Sequence, residues 1–216
     1  MKVIKKAYNL VKSFSTEKQH HIAIKNADNA IKNFQHPYQL NVGCGNIKFQ
    51  GWVNIDLAFV PNVTDIIWDA SQKFSFLKDE SCSLIYNEHF LEHLDIGQGL
   101  NFLSECYRLL NPSGVLRIAM PSLDYVVQKY NSENWRNQDW LSWKEYKFIQ
   151  TRAEMINVAF RSWGHQWLYD QEELERRLYE VGFKELRNVQ WGISEISELN
   201  NRETRTDSML ICEAKK

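Results

Sequence analysis

Cysteine is scarce and scattered in this 216-residue sequence. Cys44, Cys82, Cys106 and Cys212 stand far apart, and no Cys-x-x-Cys pair occurs. That pattern gives neither a disulfide framework nor a zinc spacing, and it fits reduced thiols in a cytoplasmic protein. Long apolar runs are also missing, since no stretch approaches the ~20 residues needed to span a bilayer. Residues 3–14 are interrupted by Lys and Asn, so the N-terminus lacks the continuous apolar region of a signal peptide. The formal net charge is −1, which implies neither a nucleic-acid binder nor an acidic tail. There is no internal repeat and no low-complexity segment.

The rest of the composition is that of a globular protein. Hydrophobic residues make up 44% and charged residues 25%, enough for one α/β domain with a sizeable core. The even charge balance conceals an asymmetry. Residues 1–36 carry seven lysines against Glu17 and Asp28, a local +5, so the remainder carries −6 of the total −1. Val3, Ile4, Ala7, Leu10, Val11 and Phe14 recur at helical spacing, so residues 1–36 read as a basic amphipathic helical arm ended by Pro37. Such an arm packs on its own domain or on a partner, or lies on an anionic membrane surface.

From residue 38 the pattern alternates. Strands are expected at 38–42, 52–57, 65–68, 83–87, 115–120, 184–190 and 209–213, and helices at 99–110 and 171–181. Asp170 and Gly182 bracket the second helix as N-cap and C-cap. The turn Asn111-Pro112-Ser113-Gly114 separates the first helix from the fifth strand. This order implies a Rossmann-like, mostly parallel seven-stranded sheet in a domain over 37–216. Helices are expected on both faces, with a helical insertion at 122–168 after strand five.

The chemistry concentrates after the first strand. Leu40-Asn41-Val42-Gly43-Cys44-Gly45-Asn46 sits where that strand should turn, and glycine there lets a ligand approach the backbone. Asp56 ends the next strand, and a carboxylate there can accept hydrogen bonds from both hydroxyls of a ribose. The third glycine of a dinucleotide fingerprint is missing and Ile47 stands in its place. No Gly-Lys-Ser/Thr of a P-loop follows. Only about ten residues separate Gly45 from Asp56, so the first crossover helix is expected to be short or absent.

In segments 40–46, 51–57, 68–71, 83–94, 108–121 and 165–183, the chain resembles the class I methyltransferases that use S-adenosyl-L-methionine. The likeness is strongest to the type 11 group and its short-helix relatives linked to glycan biosynthesis. It covers residues 38–216 and rests on the order of the motifs. It implies a methyltransferase that binds S-adenosyl-L-methionine through Asn41, Gly43, Cys44, Gly45, Asp56, Leu57, Asp69, Ala70 and Asn87. Gly43 and Gly45 would pass under the methionine part, Asp56 would hold the ribose and Leu57 would lie against the adenine. Asp69 and Ala70 would sit near the adenine amino group, with Asn87 beside the sulfonium. Asn41 departs from the acidic residue usual in the first strand. By family analogy the acceptor is a hydroxyl on a sugar, a glycan or another small molecule. RNA methylation, or a non-catalytic cofactor-binding partner subunit, are the alternatives.

Glu88-His89-Phe90-Leu91-Glu92-His93 follows the fourth strand, where catalytic groups gather in such sheets. On a helical turn His89, Glu92 and His93 would share a face, and His165 could fold back over them. A histidine that titrates near neutrality suits removal of a hydroxyl proton, so His89 and His165 are candidate bases. Small-RNA 2′-O-methyltransferases and ubiquinone-pathway O-methyltransferases carry a Glu-x-x-Glu-His run here. His89, Glu92, His93 and His165 would make a comparable metal set for a softer ion than magnesium. Alternatively, Glu92 and His93 simply cap or pack the loop. Residues 122–168 hold five of the eight tryptophans (Trp135, Trp140, Trp143, Trp163 and Trp167) and read as the substrate side. Most of these tryptophans are expected to form a small second core. Arg136, Arg152 and Arg161 could hold a phosphate or carboxylate.

Overall fold

A computed structural model describes residues 19–216. The expected apolar stripe of residues 3–14 lies outside the described residues. A helix over residues 19–30, α1, runs into a 3-10 turn at Ile31–Asn33. It buries Ala27 and Ile31, with Ala23, Ile24 and Ala30 packed alongside, against the main core.

Seven strands form one sheet. They are β1 (Tyr38–Val42), β2 (Val53–Asp56), β3 (Ile66–Ile67), β4 (Cys82–Glu88), β5 (Leu110–Met120), β6 (Glu185–Asn188) and β7 (Leu210–Lys215). Their order is β3-β2-β1-β4-β5-β7-β6, parallel except for β7, which runs antiparallel to both neighbours. The sheet is therefore mixed at one edge and parallel elsewhere. β5 starts earlier than expected because Leu110 pairs with Cys82 before an irregularity. The turn residues 111–114 fall in that bulge, and regular pairing resumes at Leu84 with Val115.

The helices between strands are α2 (Ile96–Leu109), α3 (Leu123–Asn131), α4 (Arg152–Arg161) and α5 (Gln171–Val181). α2 begins a turn earlier than its apolar pattern suggests. Asp95 accepts from the Gln98 amide while the Gln98 side chain accepts from the Asp95 amide, a capping box that offsets two glycines in that turn. α5 ends at Gly182, whose φ of 116° puts it in the left-handed region, with the Tyr107 ring 3.0 Å from where a Cβ would sit.

The layering differs from expectation. One face of the sheet, including Leu40, Val42, Ile55, Ile118 and Cys212, forms the main core with α1, α2 and α5. Leu84, Tyr86 and Val115 point the other way. They are covered by Phe49 and Trp52 from the β1–β2 crossover and by Leu199 from a 3-10 turn. Among the described residues no α-helix joins that second cluster, so the helices do not cover both faces. All four cysteines are buried and free. No helix among the described residues is long and apolar enough to cross a membrane.

Side-chain hydrogen bonds take the place of the first crossover helix. Asn54 is fully buried on β2. Its oxygen accepts from the Phe49 amide (2.8 Å) and from Asn41 Nδ2 (3.0 Å). Its nitrogen reaches the carbonyls of Phe49 and Trp52 and the Asp65 carboxylate at 2.8–3.0 Å. One amide thus satisfies backbone groups that a helix would have satisfied within itself. Asn54→Leu keeps the branched skeleton but is bulkier and strands several buried polar groups, so a loss of about 3 kcal/mol is expected. A denaturant midpoint within error of wild type would contradict this account.

Candidate active site

Four parallel strands bring their carboxyl ends to one cleft of about 430 Å³. β1 contributes the glycine turn. The amides of Gly43 and Cys44 both donate to the Ile55 carbonyl (2.9 and 3.1 Å), which ties the turn to β2. Gly43 has φ 70°, and a Cβ there would lie 2.7 Å from the Phe90 ring. Gly45 has φ 52°, and nothing lies within 4 Å of a Cβ built on it, so the cleft is open above that residue. Asp56 already works within the protein. One carboxylate oxygen accepts from the Gly45 amide (2.8 Å) and the other from the Ala58 amide (2.8 Å).

Leu57, Asp69 and Ala70 line the same cleft, with Leu57 largely exposed. Asp69 accepts from the Ser71 amide (3.0 Å) and hydroxyl (2.7 Å), which sets the turn after β3. Asn41 lines the cleft, but its amide nitrogen is committed to Asn54 and to the Ile47 carbonyl. Cys44 also lines it, with a buried thiol whose pKa is pushed up to about 11 by burial and the nearby Asp56. Asn87 was expected in the cleft and is not among its lining residues. It lies fully buried in the sheet, and neither side-chain atom has a hydrogen-bond partner. Alternation puts its neighbour Glu88 in the cleft instead.

Glu88 fastens a second element to the site. Its carboxylate accepts from the amides of Thr204 and Arg205 (3.0 Å each) and from the hydroxyls of Thr204 (2.7 Å) and Ser208 (2.9 Å). Below it, Arg117 is fully buried between Glu203 (2.7 Å) and Glu213 (2.6 Å), and Glu203 also accepts from the Gly192 amide. These contacts hold residues 203–208 as a strap across the top of the sheet. The strap presents Arg205 to the cleft and Arg205 and Asp207 to a second cavity.

The second cavity, about 240 Å³, lies under the insertion. Its walls include Tyr125, Trp140, Trp143 and Trp163, with His89, His93, His165 and Asp207 facing them. It shares His89, His93 and Arg205 with the cleft. The expected tryptophan core exists but is smaller. Trp135 and Trp140 are buried with Val126, Ile149 and Met155, whereas Trp143, Trp163 and Trp167 are exposed. Arg136 and Arg152 do not await an anion. Arg136 donates to the carbonyls of Ile149 and Gln150 and stacks on Trp135, and Arg152 donates to the Ser132 carbonyl.

The histidine cluster assembles by a different route from a helical face. His89 sits at φ 49° before the 3-10 turn Leu91–His93. Its Nδ1 lies 3.6 Å from Glu92 and its Nε2 3.6 Å from Asp207. His165 arrives through two successive left-handed residues, Trp163 and Gly164. It is held by the Gln166 and Trp167 amides, which donate to the Glu92 carbonyl (2.8 and 3.2 Å). The rings of His93 and His165 stand 5.1 Å apart. His165 Nδ1 is 2.9 Å from the Ala159 carbonyl, so it carries the proton and Nε2 keeps its lone pair. Burial, then the nearby Arg205 and histidine charges, lowers His89 to about 3. Burial also lowers His93 and His165. Burial raises Glu92, both of whose oxygens lack a partner, to about 8.

Glu88, Arg205 and Asp207 were missed in the sequence. Glu88 could have been found from strand alternation with Leu84 and Tyr86, but nothing local to residues 203–208 signals a site.

No protein-family model and no curated protein matches the chain. Solved structures do. A SAM-dependent methyltransferase of Archaeoglobus fulgidus aligns over 94% of this chain and 99% of its own, with TM-score 0.55 and 16% identity. A possible histamine N-methyltransferase of Thermotoga maritima aligns over 97% and 99%, with TM-score 0.49 and 17% identity. The first likeness is one of fold: this chain has the Rossmann-like fold of that methyltransferase.

Glu92 gives a pH test of the cluster. Its native form holds a proton up to about pH 8, whereas the unfolded form releases it near the ordinary 4.5. Between those values the native state binds more protons, so stability falls as pH rises. Below pH 6.5 the lowered histidines oppose this trend, because stability rises with pH there as they lose protons in the unfolded state. With a chelator present, wild-type stability should therefore drop between pH 6.5 and pH 8, and Glu92→Gln should flatten that drop. An unchanged slope in the variant would show that Glu92 ionises normally.

Proposed function

We propose that this chain is an S-adenosyl-L-methionine-dependent methyltransferase acting on a hydroxyl of a small molecule, such as a sugar or glycan unit. The observation that carries the reading is the pairing of two cavities across His89, His93 and Arg205 at the carboxyl ends of the parallel strands. The cleft suits a cofactor that joins a nucleoside to an amino acid. Space is open above Gly45 for the methionine part. Asp56 keeps acceptor capacity for ribose hydroxyls beyond its two backbone bonds. Leu57, Asp69 and Ala70 flank the adenine end. Likeness of fold to the Archaeoglobus methyltransferase adds support.

The bound cofactor would supply an electrophilic methyl carbon. The chain's own residues then orient the acceptor, exclude water and take its proton. His165 is the best-placed base, because Ala159 fixes its tautomer with Nε2 free. His89, lowered to about 3, is too weak a base for a hydroxyl and serves as a neutral hydrogen-bond acceptor. A chamber of about 240 Å³ with one cationic side chain suits a small acceptor better than a nucleic acid.

A second reading of the cluster has its own observation. Ligand atoms of Glu92, His93 and His165 lie within 4.8 Å of one another, and the buried Glu92 oxygens are unpartnered. Two imidazoles and a carboxylate would suit a zinc-like ion, whose role would be to fix the acceptor oxygen. Metal content of purified protein, and of Glu92→Gln with His93→Ala, separates the two readings.

Calorimetric titration with S-adenosylhomocysteine tests the main reading. Wild type should bind, and Asp56→Ala should bind about tenfold to a hundredfold more weakly. No binding by wild type would sink the proposal. Once an acceptor is found, His165→Gln should lower kcat by about 10²- to 10⁴-fold and leave cofactor affinity unchanged.

A further inference from the structure

Arg205 stands apart from the other arginines. Eight of the ten described arginines donate a guanidinium hydrogen bond. Arg161 and Arg205 have none, and Arg161 lines neither cavity. No other lysine or arginine lines the cleft or the chamber. The backbone of Arg205, by contrast, is held from both ends. Its amide donates to Glu88 (3.0 Å) and its carbonyl accepts from the Trp191 indole (3.1 Å). Its neighbours are anchored as well. Thr204 and Ser208 are bound to Glu88, Glu203 to Arg117, and Thr206 to Asp139 of the insertion (2.8 Å). Asp207, two residues on, lies 3.6 Å from His89 and forms no ion pair with Arg205. The strap is therefore rigidly placed, and its one free group is a cationic head at the junction of the two cavities.

A planar guanidinium with open donors recognises an oxyanion through two parallel hydrogen bonds. Given the methyl-transfer reading, on which this rests, we propose that Arg205 selects an acceptor carrying a carboxylate or phosphate on a ring that packs against Trp140, Trp143 and Trp163. The oxyanion also offsets the guanidinium charge, which otherwise faces a cationic sulfonium in the same cleft. The anion-binding role expected of Arg136 and Arg152 in the insertion thus falls to a residue outside it.

Quenching of the chamber tryptophans, read with and without S-adenosylhomocysteine, tests this with matched probes. These are 4-hydroxybenzoate against 4-hydroxybenzyl alcohol, and glucuronate and glucose 1-phosphate against glucose. In wild type, the charged member of at least one set should bind about tenfold more tightly than its neutral partner. Arg205→Met should abolish that preference and Arg205→Lys should keep part of it, with S-adenosylhomocysteine affinity unchanged in both. The Arg205 side chain makes no bond within the fold, so both variants should unfold at the wild-type temperature. Equal binding of charged and neutral probes by wild type overturns the proposal, as does a preference that survives in Arg205→Met. Weaker S-adenosylhomocysteine binding in Arg205→Met overturns it too, by assigning the guanidinium to the cofactor's own carboxylate. Failure of wild type to bind S-adenosylhomocysteine would instead count against the methyl-transfer reading, and the probe preference would still be scored without it.

Discussion

The site depends on how one carboxylate is used. Glu88 ends β4, the strand at the centre of the sheet order, and spends both oxygens on the strap that precedes β7. Sequence separation between these partners exceeds 110 residues. Without that clamp the strap would keep Glu203, Trp191 and Asp139 as anchors but would lose its tie to the strand end that borders both cavities. Hydrogen bonds to a carboxylate from backbone amides are among the stronger ones a protein makes. Here they fix register between two distant parts of the chain where no strand pairing does so.

The same economy appears on the opposite side of β1. Asn54 and Asp65 organise a crossover that has no helix, and Asp56 braces the glycine turn as well as bordering the cleft. Polar side chains at strand ends thus do structural work in place of a crossover helix. The sheet is left covered by helices on one face and by irregular segments on the other. That places Phe49 and Trp52, with Arg202 stacked over both, where a helix would otherwise pack.

Much of this is readable from residues alone, and the limits have physical causes. Short apolar runs bounded by turn residues locate the seven strands, most clearly where the strand is buried as in β1, β4, β5 and β7, and least where it is short or exposed as in β3 and β6. Element ends drift where a bulge or a capping box intervenes, as at Leu110 for β5 and at Asp95 for α2. The glycine turn and Asp56 are legible because they are local. Asn87 and Glu88 are not separable by type, since both are polar residues at one strand end, and only the direction of the pleat tells them apart. The arginines of the insertion look free in sequence because their partners are backbone carbonyls, which leave no sequence trace. The strap escapes notice for the same reason: Glu88, Arg117 and Trp191 hold it from far away. His165 was foreseen as a distant member of the cluster, but the pair of left-handed residues that delivers it was not.

The strap also divides its duties residue by residue. Glu203, Thr204 and Ser208 face anchors, while Arg205 and Asp207 face open space. Positions that hold the segment are therefore distinct from positions that face a ligand. Such a segment can exchange its outward residues over evolutionary time, or in the laboratory, while its path stays the same. A scaffold of this kind would diversify its acceptors by changing two side chains, without inventing a new loop.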